Sequence, residues 1–390
     1  MRVAELTAFH VRILLRRPVR HASHVRSFTD NVVVRAVLDD GTEGFGEGLP
    51  REYVTHETID SAVALLQSSD LRAQLTDCKD FPEAVQLAER LQLAPVPGDD
   101  RACQGNAARC ALELAVLDAY GRRFGEPLSM VTRLLAADLY RPSPRVRYSG
   151  AILSASGRIK IRLAVLRVWL YRFPQVKVKV GIEGQDDVRR LRFIRKRLGN
   201  RVDLRVDANE AWSAAETVAR IRDLEPFRIS SVEQPVAHAE VDQLAGVRPQ
   251  VGAPIMLDES LCSMIDARRA VEKRTCDLFN LRLSKCGGFI PTLRLAQFAR
   301  AHGLGYQLGC QVGETALLSA AGRHFACSVD GLRYLEGSYD RHLVRQWLST
   351  RDITFRWGGW APALPGSGLG VAIDPIALER VTIRKETLLG

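Results

Sequence analysis

From residue 176 onward, polar residues suited to chemistry return at a near-constant interval. Lys179, Asp207, Glu233, Asp258, Lys285, Cys310 and Glu336 are separated by 28, 26, 25, 27, 25 and 26 residues. Each follows or closes a short apolar run of strand character, at 176–180, 202–207, 229–233, 255–258, 278–283, 305–308 and 332–336. Charge-rich helical stretches such as 185–197 and 214–224 lie between them. One strand, one helix and two loops fill such an interval, so the repeat predicts parallel strands joined by helices. With 146–150 as a first strand the set numbers eight, which predicts a closed (β/α) barrel. The strands of a barrel end on one face, so these side chains should ring one mouth.

Residues 1–140 follow another plan. Segments 11–15 and 31–38 read as strands, Asp39-Asp40-Gly41-Thr42 as a hairpin turn, and 44–47 as a third strand. Helical stretches follow at 57–68, 81–93 and 104–124, which makes an α+β unit. Arg141-Pro-Ser-Pro-Arg145 reads as a linker. The last segment, 350–390, holds Trp357-Gly-Gly-Trp360 and a strand at 381–383, and is expected to return to the first region. The expected division is an α+β domain at 1–140 completed by 350–390, and a barrel at 141–349.

The formal charge of +10 invites nucleic acid as a partner, but arginines are dispersed and no block of like charge or nucleic-acid motif occurs. A positive field suits small anionic substrates instead. No apolar run approaches the roughly 20 residues of a membrane span, and the start has no secretory signal character. Eight cysteines without a CxxC pair read as buried thiols of a reducing compartment. A cytoplasmic protein with neither nucleic-acid nor membrane partners is expected.

Asp207, Glu233 and Asp258 end consecutive strands, so their carboxylates can converge. Three such groups would raise each other's pKa unless a cation intervened, and an all-oxygen set suits Mg²⁺, with Mn²⁺ a second candidate. Val176-Lys177-Val178-Lys179-Val180 alternates, so Lys177 and Lys179 share one face, the barrel interior. Lys285 should stand across the mouth from them. A substrate between would lose a proton to one lysine and regain it from the other. Taken singly, each acid would more often be an arginine partner at a barrel rim; the constant interval is what favours a site.

The motifs Lys177-Val-Lys179, Asp207-Ala-Asn209-Glu-Ala-Trp212, Val232-Glu233-Gln-Pro235, Leu257-Asp258-Glu259-Ser260 and Leu283-Ser-Lys285-Cys-Gly-Gly288 together resemble the enolase superfamily, in its muconate lactonizing enzyme subgroup. The resemblance extends over nearly all of the chain. It implies a modified barrel under an α+β capping domain, formed by the N-terminal region and the C-terminal tail. It also implies Asp207, Glu233 and Asp258 as metal ligands, and Lys179 and Lys285 as the acid/base pair tuned by Lys177. Asn209 and Glu259 would orient these groups, and Glu314 would hydrogen-bond a lysine or the substrate. His21, His24, Arg26, Arg51 and Tyr53 fall where the family's mobile capping loops lie and are candidate substrate contacts, as is Glu336.

The implied activity is proton abstraction next to a carboxylate through an enediolate, a scheme general to this superfamily. A cycloisomerase comes first. Racemisation or epimerisation of N-substituted amino acids, or an o-succinylbenzoate synthase-like dehydration, is the alternative; a non-catalytic binding protein on this fold is the remote one. Dipeptide epimerases of the subgroup carry Asp-x-Asp at the end of the eighth strand to hold the substrate amine, whereas this chain has Glu336-Gly-Ser338. A homo-oligomer is a family expectation.

Overall fold

The computed structural model describes residues 1–20, 25–152 and 158–390. Two sheets organise them. The first is antiparallel, in the order β14-β1-β2-β3, from β1 (Val3–Arg20), β2 (Val25–Leu38), β3 (Glu43–Gly48) and β14 (Thr382–Leu389). The turn at Asp39–Thr42 closes the β2–β3 hairpin, with Gly41 at φ +85°. The tail returns as expected, since β14 pairs along β1 from Leu6 to Val11.

Helix α1 (Asn106–Phe124) lies on this sheet, and the sequence dictates how closely. β3 reads Glu-Gly-Phe-Gly-Glu-Gly, so Gly44, Gly46 and Gly48 point the same way. They meet the helix backbone at Ala119, Ala111 and Ala107, where an added Cβ would stand 2.1, 2.1 and 1.9 Å from main-chain atoms. Glycines at period two against alanines at period four let strand and helix touch main chain to main chain.

The second sheet has eight strands, all parallel and in chain order: β5 (Gly150–Ile152), β6 (Gln175–Lys179), β7 (Asp203–Asp207), β8 (Ile229–Glu233), β9 (Ile255–Leu257), β10 (Leu278–Leu281), β11 (Gly305–Leu308) and β12 (Leu332–Leu335). Ser149 N donates to Leu335 O at 2.8 Å, which brings the two edges of the curl together. The expected first strand, 146–150, is displaced: Arg145–Arg147 is β4, antiparallel to β13 (Trp360–Pro362), and the barrel strand begins at Gly150. Arg145 and Arg147 lie over the Trp360 ring, so an aromatic of the tail captures this stretch.

Buried carboxylates dock the two layers. Glu47, on the face of β3 opposite its glycines, accepts from Thr315 N and Leu318 N at 3.1 Å, where helix α3 (Ala316–Ser328) begins. Asn31 Nδ2 also donates to it at 2.6 Å. Glu113 of α1 accepts from Ile290 N at 3.0 Å, at the start of α2 (Phe289–Ala301). A carboxylate at a helix start meets unpaired N–H donors and a favourable dipole. The cap is thereby held over the barrel mouth.

Candidate active site

The C-terminal ends of β6 to β9 deliver Lys179, Asp207, Glu233 and Asp258 to that mouth, with Lys179 level with Asp207 and Asp207 level with Glu233 across the sheet. All four are buried. Asn209 and Glu210 follow Asp207 in left-handed conformations, φ +45° and +65°, which turn the chain sharply at the rim. Asn209 N donates to Asp207 Oδ1, and Asn209 Nδ2 to Glu259 Oε1 at 3.3 Å. Gln234 Oε1 accepts from Asp258 N and Ser260 N, which ties the ends of β8 and β9 together.

Lys177 points inward beneath Lys179. Its Nζ lies 3.2 Å from Asp207 Oδ2, 3.3 Å from Glu233 Oε1 and 3.0 Å from Glu336 Oε2. Burial works against its charge, but Glu233, Glu336 and Asp207 outweigh that and hold the ammonium well above the ordinary lysine range. For Lys179 burial prevails, helped by Lys177 and opposed by Asp207 and Glu259, and its pKa is lowered. Burial also raises Asp207 and Glu233. In Asp258 burial is overcome by Arg282 and Lys285, which hold it at about 2.

Lys285 follows β10, which stands four places from β6 in the sheet, and it is buried. Its side chain has no exposed surface, and its Nζ donates to Asp258 O at 2.6 Å, Asn280 O at 2.8 Å and Asp258 Oδ1 at 3.0 Å. Three protons thus meet three acceptors, one of them a carboxylate oxygen of Asp258. A second cation from β10's side is Arg282, whose guanidinium pairs with Asp258 and lies 3.6 Å from Glu233. Asn280 Nδ2, two residues earlier on the same inward face, donates to Glu233 Oε1 at 2.8 Å. Beyond β10 the chain turns, with Cys286 N on Arg282 O and Gly288 N on Leu283 O, and Lys285 lies in this turn.

The remaining expected contacts divide. His21 and His24 lie outside the described residues. Arg26 sits over the Tyr53 ring at 5.4 Å, and Tyr53 packs on Val54, Cys103 and Cys262. Arg51 is buried, and its two terminal nitrogens donate to Thr29 Oγ1 and to the carbonyls of Asp30, Pro50 and Val312. It pins a loop and has no terminal nitrogen to spare for a substrate. Glu314 accepts from Gln311 N at 2.6 Å, and burial pushes its carboxyl up to about 8. Glu336 is clamped between Lys177 and Arg205, the latter at 2.6 Å. Arg205, Asn280 and Arg282 are the site residues that the interval of acids and lysines missed. Strand parity was the signal for Arg205 and Arg282, at two residues before Asp207 and two after Asn280.

Asp207, Glu233 and Asp258 are hard oxygen donors on adjacent strand ends, a donor set that fits a divalent cation by its chemistry. As placed, Lys177 and Arg282 lie against these oxygens, and among the described residues no three His, Cys, Asp or Glu side chains stand in metal-holding positions. Four carboxylates, with Glu336, face four cations: Lys177, Arg205, Arg282 and Lys285. No helix among the described residues is long and apolar enough to cross a membrane.

Comparison with known proteins agrees with this architecture. Residues 3–132 match the mandelate racemase / muconate lactonizing enzyme N-terminal domain, and 161–377 match the enolase C-terminal domain-like family. An N-succinyl-L-Arg/Lys racemase of Bacillus cereus is 28% identical over 98% of each chain. A chloromuconate cycloisomerase of Pseudomonas putida is 31% identical over 73% of this chain and 75% of its own. The crystal structure of a dipeptide epimerase from Enterococcus faecalis, complexed with Mg and L-Leu-L-Tyr, has a TM-score of 0.81 at 25% identity, over 95% of this chain and all of its own.

Proposed function

Because the chain belongs to the mandelate racemase / muconate lactonizing enzyme family of the enolase superfamily, we propose that it removes the proton α to the carboxylate of a small N-substituted amino acid, with Lys179 as the base. The observation that carries this reading is the convergence of Lys179 with three carboxylates from the next three strands at one barrel mouth. The sequence put cycloisomerisation first; the racemase and epimerase relatives move the alternative, an amino-acid substrate, ahead of it.

Asp207, Glu233 and Asp258 are the residues that would hold Mg²⁺, the ion of the Enterococcus complex, and once bound it supplies a Lewis acid for the substrate carboxylate. Lys177 keeps a positive charge under Lys179 and so favours its neutral, basic form. Asn209 and Glu259 fix the rim around that amine. Arg26 and Tyr53, on the cap side, are the candidate contacts for the rest of the substrate.

Glu336 bears on the substrate's nitrogen. A free amine needs an acid to receive it, and Glu336 is already engaged by Lys177 and Arg205. An acylated nitrogen is neutral and needs none, so N-acyl amino acids are favoured over dipeptides with a free amine. Cytoplasmic location and a homo-oligomer go with this reading.

The test is α-hydrogen exchange. Purified enzyme with Mg²⁺ is incubated in D₂O with N-succinyl and N-acetyl amino acids and with dipeptides, and the α-proton signal is followed by NMR. Loss of that signal for acylated substrates, absent in Lys179→Ala, is expected; exchange confined to the dipeptides would sink the substrate assignment.

A further inference from the structure

The acids of the chain are unevenly placed, and one helix sits where they are missing. Of 55 lysines and arginines against 45 acids, ten fall between Leu139 and Ile182, a stretch with no aspartate or glutamate. The rest of the chain is therefore balanced, at 45 of each sign. Lys177 and Lys179 serve the site. The other eight belong to, or adjoin in sequence, the helix Arg158–Tyr171, which crosses from β5 to β6.

A crossover helix needs one apolar face, toward the barrel. This helix has two. Val165 and Val168 are buried in the core, with Ile161, Ala164 and Tyr171 half-buried against it. On the far side Ile159, Leu163, Leu166 and Leu170, spaced four, three and four, are 73, 50, 47 and 44% exposed. Trp169 beside them is 62% exposed, and no other barrel helix among the described residues exposes more than one large apolar side chain. Exposed Lys160 and Arg167 border the stripe on one side and exposed Arg162 on the other. Trp357, also exposed, extends the patch from the helix end, where its ring stacks on Tyr171 at 5.5 Å.

We propose that this face docks on an anionic lipid surface. The aliphatic side chains enter the boundary between headgroups and acyl chains, the tryptophans lie at headgroup level, and the cations meet the lipid phosphates. Lying on a bilayer needs no spanning run, so the lack of one, which argued against a membrane partner, does not bear on it. A second copy across a twofold axis would set Lys160, Arg162 and Arg167 against like charges. Nucleic acid would meet the cations but leave four aliphatic side chains without a partner. An acidic helix would fill a single seam, whereas this apolar surface spreads sideways to Trp169, which a fluid surface accommodates.

The experiment floats the purified full-length protein with vesicles of phosphatidylcholine alone, and of phosphatidylcholine and phosphatidylglycerol in equal parts. Retention on the mixed vesicles is expected to exceed that on phosphatidylcholine by about tenfold or more, and to fall with added salt. Two double variants, Leu166→Ser with Trp169→Ser and Arg162→Gln with Arg167→Gln, should each lose about tenfold of it. Both should keep the parent's unfolding midpoint, because all four side chains are exposed. Equal retention on the two vesicle types, or none, overturns the proposal. So does retention that either variant keeps, which puts the contact elsewhere. Sedimentation without vesicles overturns it in favour of self-association if the Leu166 and Trp169 variant lowers the mass of the assembly. Stronger retention on a non-specific duplex than on the mixed vesicles overturns it in favour of nucleic acid.

Discussion

At the scale of single residues, the two lysines expected to act as a pair sit in different surroundings. Lys179→Ala should cost about a thousandfold in α-deuterium exchange while the unfolding midpoint stays near that of the parent. Lys285→Met should also cost stability. It leaves the buried Asp258 without one of its cations, and urea denaturation should show a loss of about 3–5 kcal/mol. Arg282 competes for the same oxygens that would take Mg²⁺. Removing its charge in Arg282→Met is therefore expected to tighten Mg²⁺ binding by about tenfold or more, read by calorimetry on the protein alone. Weaker binding in that variant would show that the guanidinium supports the ion rather than opposing it. Lys177, Lys179 and the three acids were legible because an inward lysine pair and a regular interval mark strand ends. Arg282 was not, because a 27-residue step from Asp258 lands on Lys285 and passes over it. Asn280 and Arg282 differ by two, and strand parity puts both on the inward face.

At the scale of elements, the cap bears on the site through hydrogen bonds from its long helix. Asn106, the first residue of α1, donates to Lys285 O at 2.6 Å and Cys262 O at 2.8 Å. Three residues on, Arg109 donates to Gly287 O at 2.6 Å. The helix on the glycine face of β3 thus also clamps the turn that carries Lys285. Gly46→Ala would put a methyl 2.1 Å from Ala111 O and 2.5 Å from Ala115 N, neither of which can yield as a side chain would. We expect a loss of about 3 kcal/mol or more by denaturant unfolding. Gly41→Ala meets nothing within 4 Å, and its cost should come from its positive φ alone, about 1 kcal/mol. The helix at 104–124 and the hairpin turn were legible from periodicity and turn chemistry. The first barrel strand was not: 146–150 has strand character, but its pairing with β13 depends on Trp360, more than two hundred residues away.

At the scale of the whole molecule, the barrel was readable and its docking was not, because docking rests on single buried polar groups at long separation. His324 on α3 is one of them. Its Nε2 lies 3.1 Å from Leu369 O, and burial, with Arg323 alongside, lowers its pKa to about 4. The unfolded chain binds that proton below about 6.5, the folded chain only below about 4, so stability falls as pH drops through this window. The full effect is about 3 kcal/mol. Thermal unfolding of the parent and of His324→Phe between pH 7 and about 4 should show the parent losing more stability; equal slopes would mean the imidazole is not held neutral.

The strand β14 carries a different kind of consequence. Its partner β1 precedes the barrel strands in the chain, and β14 follows only after the whole barrel has been made. For all of that time β1 has a bare edge beside Phe9 and Val11, open to strand addition by a neighbouring nascent chain. The barrel beneath can form meanwhile, since its eight strands pair in the order in which they emerge. The sheet of the cap is therefore completed only after the barrel, and a chain interrupted between β12 and β14 would hold a finished barrel under an unfinished cover.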